Sequence, residues 1–431
     1  MIAPARRAAL DALAQIDAGR VDMGATVARA RATLQDERDQ ALLLELVSGT
    51  LRMRNAVDHQ LSLRVKRPLS KLDAVVLNIL RMSAFQLMYL SRLPASAVIN
   101  DAVDLTRRGG KSSASGLANA VLRAISRERD QLKWPADDDP QHLSTVHSHP
   151  RWLVDRWLSR YGVASTTAWL EFNNRPAALC LAANRHLTTR DALAEELASD
   201  GVTTQPTGRA LNGLEVIDGR ALSTRAFREG RCLVQDEASQ LIGELAMSVA
   251  RGRVLDLCAS PGGKTLALSV AKNTRVIATD VRANRVRLLA GTLNRCRVPN
   301  VTVVHVADGP LPFSAETFDL ILIDAPCSGL GTVRRDPDIR WRRSPEDLPR
   351  FAAAQCDLLA SAADLVNHGG ALVYSTCSSE SEENDDVVAA FLQARTDFTL
   401  RTTHQTLPFR DHLEAFFAVI LERSKNVRPI V

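Results

Sequence analysis

Five strand-like runs rich in apolar residues, at 254–257, 276–278, 301–306, 320–323 and 371–374, alternate in the C-terminal part of this chain with stretches of helical period, notably 283–293 and 345–366. Alternation of such runs with helices predicts an α/β domain built on a parallel sheet covered on both sides. A last run, 416–421, has no helix after it and is expected to pair antiparallel near the end of the sheet. In such a sheet, ligands bind beyond the carboxyl ends of the strands. Four acidic residues fall at those ends: Asp256, Asp280, Asp308 and Asp324.

The remaining sequence divides differently. Up to about 127 it reads as helices only: Leu43, Leu46, Val47 and Leu51 repeat at helical spacing, as do Leu72, Val76, Ile79, Leu80 and Leu87, and again Leu117, Val121, Leu122 and Ile125. Ser70 with Asp73 resembles an N-terminal cap. An acidic, proline-bearing stretch around 134–140 reads as a linker, and 176–236 as short mixed strands and helices. The domains expected are therefore 1–130, all-helical; 145–236, a small α+β extension; and 237–431, the α/β domain. That several domains are present agrees with a length of 431 residues.

The turn after the first apolar run is Cys258-Ala259-Ser260-Pro261-Gly262-Gly263-Lys264-Thr265. A phosphate-gripping loop needs glycine where Cys258 stands, and the dinucleotide fingerprint needs a glycine spacing that this turn lacks. What the residues fit is S-adenosylmethionine. Gly262 and Gly263 let the backbone approach the ligand, Asp280, about 20 residues on, suits ribose hydroxyls, and Asp308 suits the adenine amino group.

Two strings finish later runs: Asp324-Ala325-Pro326-Cys327 and Ser375-Thr376-Cys377. Thiols beside a methyl-donor pocket suit methylation of a pyrimidine C5, a poor nucleophile until a thiolate adds at C6; a base then removes the C5 proton so that the sulfur can leave. Asp324 suits the N3 and amino edge of cytosine. Methylation of an exocyclic nitrogen would instead call for Asp/Asn-Pro-Pro-aromatic at 324–327. Cys180, Cys232, Cys296 and Cys356 read as small buried hydrophobes. Spacing alone does not say which sulfur attacks.

The run from Arg334 to Arg343, with Arg335, Arg340 and Trp341, is basic and aromatic, and its position after Cys327 suggests phosphate contacts and base stacking. Basic clusters also occur at Arg52, Arg54, Arg64, Lys66 and Arg67, and at Arg107, Arg108 and Lys111. The formal net charge of +5 is compatible with a polyanionic partner. Seven cysteines without a C-x-x-C pair give no disulfide framework or zinc ribbon. The scattered histidines give no metal site. Asp11 interrupts the apolar run after Arg6-Arg7, and no run is long enough to span a membrane. The expectation is a cytoplasmic monomer without metal or membrane partner.

Taken together, 256–265, 324–329 and 374–378, supported by Glu382-Glu383-Asn384 and 234–239, resemble the bacterial 16S rRNA cytosine-C5 methyltransferases of the RsmB/Sun (Fmu) type, within the NOL1/NOP2/Sun family. The helical N-terminus resembles the NusB RNA-binding fold. The resemblance implies a Rossmann-like class I methyltransferase domain, 16S rRNA as partner and S-adenosylmethionine as cofactor. It assigns Cys377 as nucleophile and Cys327 to breakdown of the covalent adduct. Residues Cys258 to Lys264, with Asp280, Asp308 and Asp324, would line the cofactor and target-base site. The same chemistry on tRNA, or a non-catalytic RNA-binding assembly factor, are the alternatives; both cysteines beside an unbroken cofactor turn argue against the second.

Overall fold

The computed structural model describes residues 2–19, 23–307 and 309–425. The chain forms two compact units, one of Met1–Pro176 together with Val333–Ser344, the other of Ala177–Thr332 together with Pro345–Val431.

The first unit is helical. Its helix Glu37–Arg52 begins where the Asp36 side chain accepts the amide of Arg38 at 2.7 Å, and ends with Arg52 in its last turn, matching the helix dipole. Leu43, Leu46, Val47 and Leu51 are the face it buries, in one core with Ile79 and Leu80 of the helix Ala74–Tyr89 and Val121, Leu122 and Ile125 of the helix Ser115–Arg127. Gly49 makes room for the Phe85 ring, which a Cβ at that position would overlap. Asp73 caps the second of these helices by accepting from Val75 N at 3.0 Å, while Ser70 lies in a preceding 3-10 turn.

In the second unit, strands β1 (Leu179–Ala183), β2 (Thr203–Pro206), β3 (Gly213–Asp218) and β4 (Cys232–Val234) form an antiparallel sheet in the order β2-β3-β1-β4. The seven-stranded sheet contains β5 (Gly252–Asp256), β6 (Thr274–Asp280), β7 (Val301–His305), β8 (Phe318–Asp324), β9 (Val366–Thr376), β10 (Phe398–Thr406) and β11 (Phe416–Arg423), in the order β10-β11-β9-β8-β5-β6-β7. β5 to β9 run parallel, and β11 is antiparallel to both neighbours.

Alternation along the central strands explains their unbroken apolar sequence. Leu255, Ile321, Ile323, Leu372 and Tyr374 face one side, packed with Leu359, Val388 and Phe391. Val254, Leu320, Leu322 and Val373 face the other, packed with Ala246 and Leu268. The order reverses between β5 and β8, which opens a crevice beyond their carboxyl ends.

Among the described residues, no helix is long and apolar enough to cross a membrane, and no cluster of His, Cys, Asp or Glu is arranged to hold a metal ion.

Candidate active site

The turn after β5 is fixed at both ends by the sheet. Leu257 N donates to Leu322 O and Ala259 N to Thr279 O, each at 2.9 Å. Beneath the turn, Thr265 Oγ1 donates to Asp256 Oδ2 at 2.6 Å. Gly262 has φ +111°, a left-handed conformation that glycine adopts without strain, and a Cβ there would press on Leu289 at 3.1 Å. Asp256 is fully buried with Oδ1 unpaired, and desolvation lifts its carboxyl to about 7 against the pull of Thr265. Burial and the carboxylates of Asp324, Asp256 and Asp280 push the Cys258 thiol up to about 12, so it stays protonated.

Asp280 ends β6 and accepts Arg282 N on Oδ1 at 3.1 Å, while Arg285 Nε stands 3.1 Å from Oδ2. Arg285 also reaches Ser260 O at 2.8 Å and so ties the turn to the end of β6. A tight glycine turn with a carboxylate at the end of the next strand fits a nucleoside-bearing cofactor. Asp308, the adenine candidate, lies outside the described residues.

Across the switch in strand order, Lys264 Nζ is 2.7 Å from Asp324 Oδ2, and Ser375 Oγ donates to Asp324 Oδ1 at 3.0 Å. The Lys264 ammonium also sits 5.5 Å from the centre of the Phe416 ring. Asp324 pairs with Ser375 in the parallel register of β8 and β9, and Ala325 N continues that ladder to Ser375 O at 2.8 Å. The two cysteines therefore leave neighbouring strands at nearly the same height, and Cys327 Sγ lies 3.2 Å from Cys377 Sγ. Gly331 N donates to Cys377 O at 3.0 Å, and a side chain at Gly331 would collide with the carbonyls of Ala415 and Cys377. The hydrogen bond to Cys377, then burial, hold the Cys327 thiol well above its usual range.

The sequence did not single out a role for Glu383. Its carboxylate is completely buried and accepts from Ser328 N at 2.7 Å, from the hydroxyls of Ser328 and Ser378, and from Gln355 Nε2 at 3.2 Å. The available signal was the repeated Cys-Ser pair, Cys327-Ser328 and Cys377-Ser378.

Within the basic run after Cys327, Arg340 is a correction. Expected at an RNA surface, Arg340 is instead fully buried in the first unit, donating to Ser148 O and Asn174 Oδ1 at 3.0 Å and to Asn173 O and Val333 O at 3.3 Å. Burial lowers its guanidinium to about 9. Arg334 donates to Pro176 O at 2.7 Å and lies 4.4 Å from the centre of the Phe172 ring; Trp341 Nε1 donates to Leu51 O at 2.6 Å. Arg335 is half-buried. Arg340 therefore spends its donors on protein, while Arg334, Arg335 and Trp341 keep part of their surface exposed.

Comparison with known proteins agrees with this geometry. Residues 247–420 match the family described as 16S rRNA methyltransferase RsmB/F, residues 3–127 the NusB family, and residues 149–222 the ferredoxin-like domain of RsmF/B-like methyltransferases. The probable ribosomal RNA small subunit methyltransferase B of Bacillus subtilis is 33% identical, covering 84% of this chain and 82% of its own. The ribosomal RNA small subunit methyltransferase B of Pseudomonas putida is 34% identical, covering 91% and 89%. A methyltransferase homolog protein from Pyrococcus horikoshii superposes with a TM-score of 0.58 at 25% identity, over 67% of this chain and all of that one. A seven-stranded sheet with its reversal at β5 and β8, a glycine turn at the first strand and this degree of relatedness place the chain in the RsmB/F family of 16S rRNA methyltransferases, whose methyl donor is S-adenosylmethionine.

Proposed function

We propose that this protein methylates C5 of a cytosine in 16S rRNA, in the cytoplasm, through a covalent cysteine adduct. The observation that carries the reading is the thiol pair, 3.2 Å apart beyond β8 and β9, with Asp324 at the end of β8. Methylating an exocyclic nitrogen has no use for two thiols. A carbon that must first be activated needs one sulfur to attack and a second group to help reverse the attack.

The roles are those that the family resemblance implies. Cys377, as thiolate, adds to C6 of the base and makes C5 nucleophilic. S-adenosylmethionine supplies a methyl group on a positively charged sulfur. Asp324, oriented by Lys264 and Ser375, meets the N3 and amino edge of the ring, where its charge favours the protonated, activated base. Cys327 stays a thiol through the attack, since its bond to Cys377 and its burial resist ionisation. Once Cys377 is bonded to C6, Cys327 gives its proton to solvent and as thiolate takes the C5 proton. The C5–H electron pair restores the C5–C6 double bond as the C6–S bond breaks and Cys377 leaves as thiolate. Cys258 to Lys264 and Asp280 hold the cofactor, and Asp308 is the adenine partner in the same reading.

The relatives named as small-subunit rRNA methyltransferases support 16S rRNA over tRNA. Incubating the full chain with the donor and with protein-free 16S rRNA or 30S particles, then digesting to nucleosides for mass spectrometry, tests the proposal. The expected product is 5-methylcytidine. Methyl on N4, or transfer to tRNA alone, would overturn it.

A further inference from the structure

Both cysteines are followed by serine, and both serines put their hydroxyls on the same oxygen, Glu383 Oε2. Ser328 Oγ and Ser378 Oγ are themselves 3.2 Å apart. The other carboxylate oxygen, Oε1, takes Ser328 N and Gln355 Nε2, and Gln355 Nε2 also holds Pro326 O at 3.0 Å, immediately before Cys327. Glu383 is thus joined to both thiol loops at the residue next to each sulfur.

The surrounding contacts leave that carboxylate little freedom. Tyr374 Oη donates to Glu383 O, and Tyr374 is itself fully buried in β9. The following residue, Asn384, accepts from Thr376 Oγ1 at 2.6 Å and donates to Ser378 O at 3.0 Å. None of these hydrogen bonds runs to the cofactor turn or to Asp280. A buried carboxylate is costly unless its acceptor sites are filled, and here four donors fill them. Such a fully satisfied group rigidifies what it joins.

We infer that Glu383 is a positioning residue for the two thiols: by gripping Ser328 and Ser378 it sets the spacing and relative orientation of Cys327 and Cys377 that the two-step thiol chemistry requires. The inference rests on the C5 reading for its catalytic consequence, and on the hydrogen bonds alone for its structural one. A displacement of about 1 Å at reacting groups can cost on the order of a hundredfold in rate.

The test uses the full chain carrying Glu383→Gln, which keeps the shape but replaces an acceptor with a donor, and separately Ser328→Ala/Ser378→Ala, which keeps the Glu383 charge and removes two of its partners. Three quantities are read. Donor binding by calorimetry should stay within about threefold of wild type in both variants. The kcat of methyl transfer should fall at least 30-fold, with KM for RNA within about threefold. Alkylation of Cys327 by iodoacetamide, followed by mass spectrometry without RNA, should quicken at least fivefold in both variants as the loop slackens. If Glu383→Gln fails to bind donor, the serine variant decides.

A kcat within threefold of wild type in the serine variant, or unchanged Cys327 alkylation there, overturns the inference. A wild-type product other than 5-methylcytidine defeats the C5 reading instead; the alkylation comparison still tests the clamp.

Discussion

Lys264 Nζ lies 2.7 Å from Asp324 Oδ2, joining the cofactor turn to the end of the strand that leads to Cys327. The ion pair is largely enclosed, with the Lys264 side chain 9% exposed and that of Asp324 30%. A charge-assisted hydrogen bond of this kind contributes about 1.5–3 kcal/mol. Lys264→Met should therefore lower kcat by roughly 10- to 150-fold if the whole effect is felt in the transition state. Single-turnover methylation with saturating donor checks this; an unchanged rate would remove the pair from the chemistry.

Replacing Asp280 should separate cofactor binding from RNA binding. Asp280→Ala deletes the acceptor proposed for the ribose hydroxyls and strips Arg285 of its partner. Calorimetry should show at least tenfold weaker donor binding, about 1.4 kcal/mol or more, with RNA affinity little changed. Equal donor affinity would move the pocket elsewhere.

The two thiols should separate by role. Cys377→Ala should abolish both methyl transfer and any covalent RNA adduct. Cys327→Ala should permit attack and methylation but stall release, leaving methylated RNA attached to protein through denaturing electrophoresis. An adduct trapped by Cys377→Ala and absent from Cys327→Ala would reverse the assignment. Methylation retained by both variants without any adduct would sink the covalent route.

Asp256 carries a pH signature. Its folded carboxyl is raised to about 7 from an ordinary 3.8, so the folded state holds a proton that the unfolded chain has released. Stability from this group is fully present below the unfolded value and declines as pH climbs to about 7, by an amount of order a few kcal/mol. Asp256→Asn, which cannot ionise, should flatten this part of the profile. Melting temperatures of both proteins between pH 4 and 8 make the comparison: the Asn variant should gain on wild type as pH rises, and a constant difference would contradict the raised carboxyl.

Arg340 is expected to act on stability. Arg340→Ala leaves the carbonyls of Ser148, Asn173 and Val333 and the side chain of Asn174 without this donor. A loss of roughly 2–4 kcal/mol follows, read by urea unfolding. Wild-type stability with weakened RNA binding would restore the surface reading of this run.

What could be read from sequence was what local pattern controls. The central strands announced themselves because burial on both faces makes them apolar at every position, and Asp256, Asp280 and Asp324 could be placed because strand ends follow from strand positions. β10 was missed: between its ends, Phe398 and Thr406, no residue is fully buried, and its register shifts between Leu400 and Thr402. It is a strand because β11 pairs with it. Arg340 was misplaced for a similar reason, since a basic run reads as solvated until distant acceptors close around it. Glu383 gained a role only when β8 and β9 brought Ser328 and Ser378 to one point.

The return of Val333–Ser344 to the first unit bears on how this protein is made. A ribosome releases residues 2–176 long before Arg340 exists, so the nascent helical unit lacks the guanidinium that Ser148 and Asn174 hold in the finished protein. Its last stitch is translated only after the Cys327 loop. Maturation of the helical unit is thereby timed to synthesis of the catalytic strands, and no single cut in the gene yields both units entire.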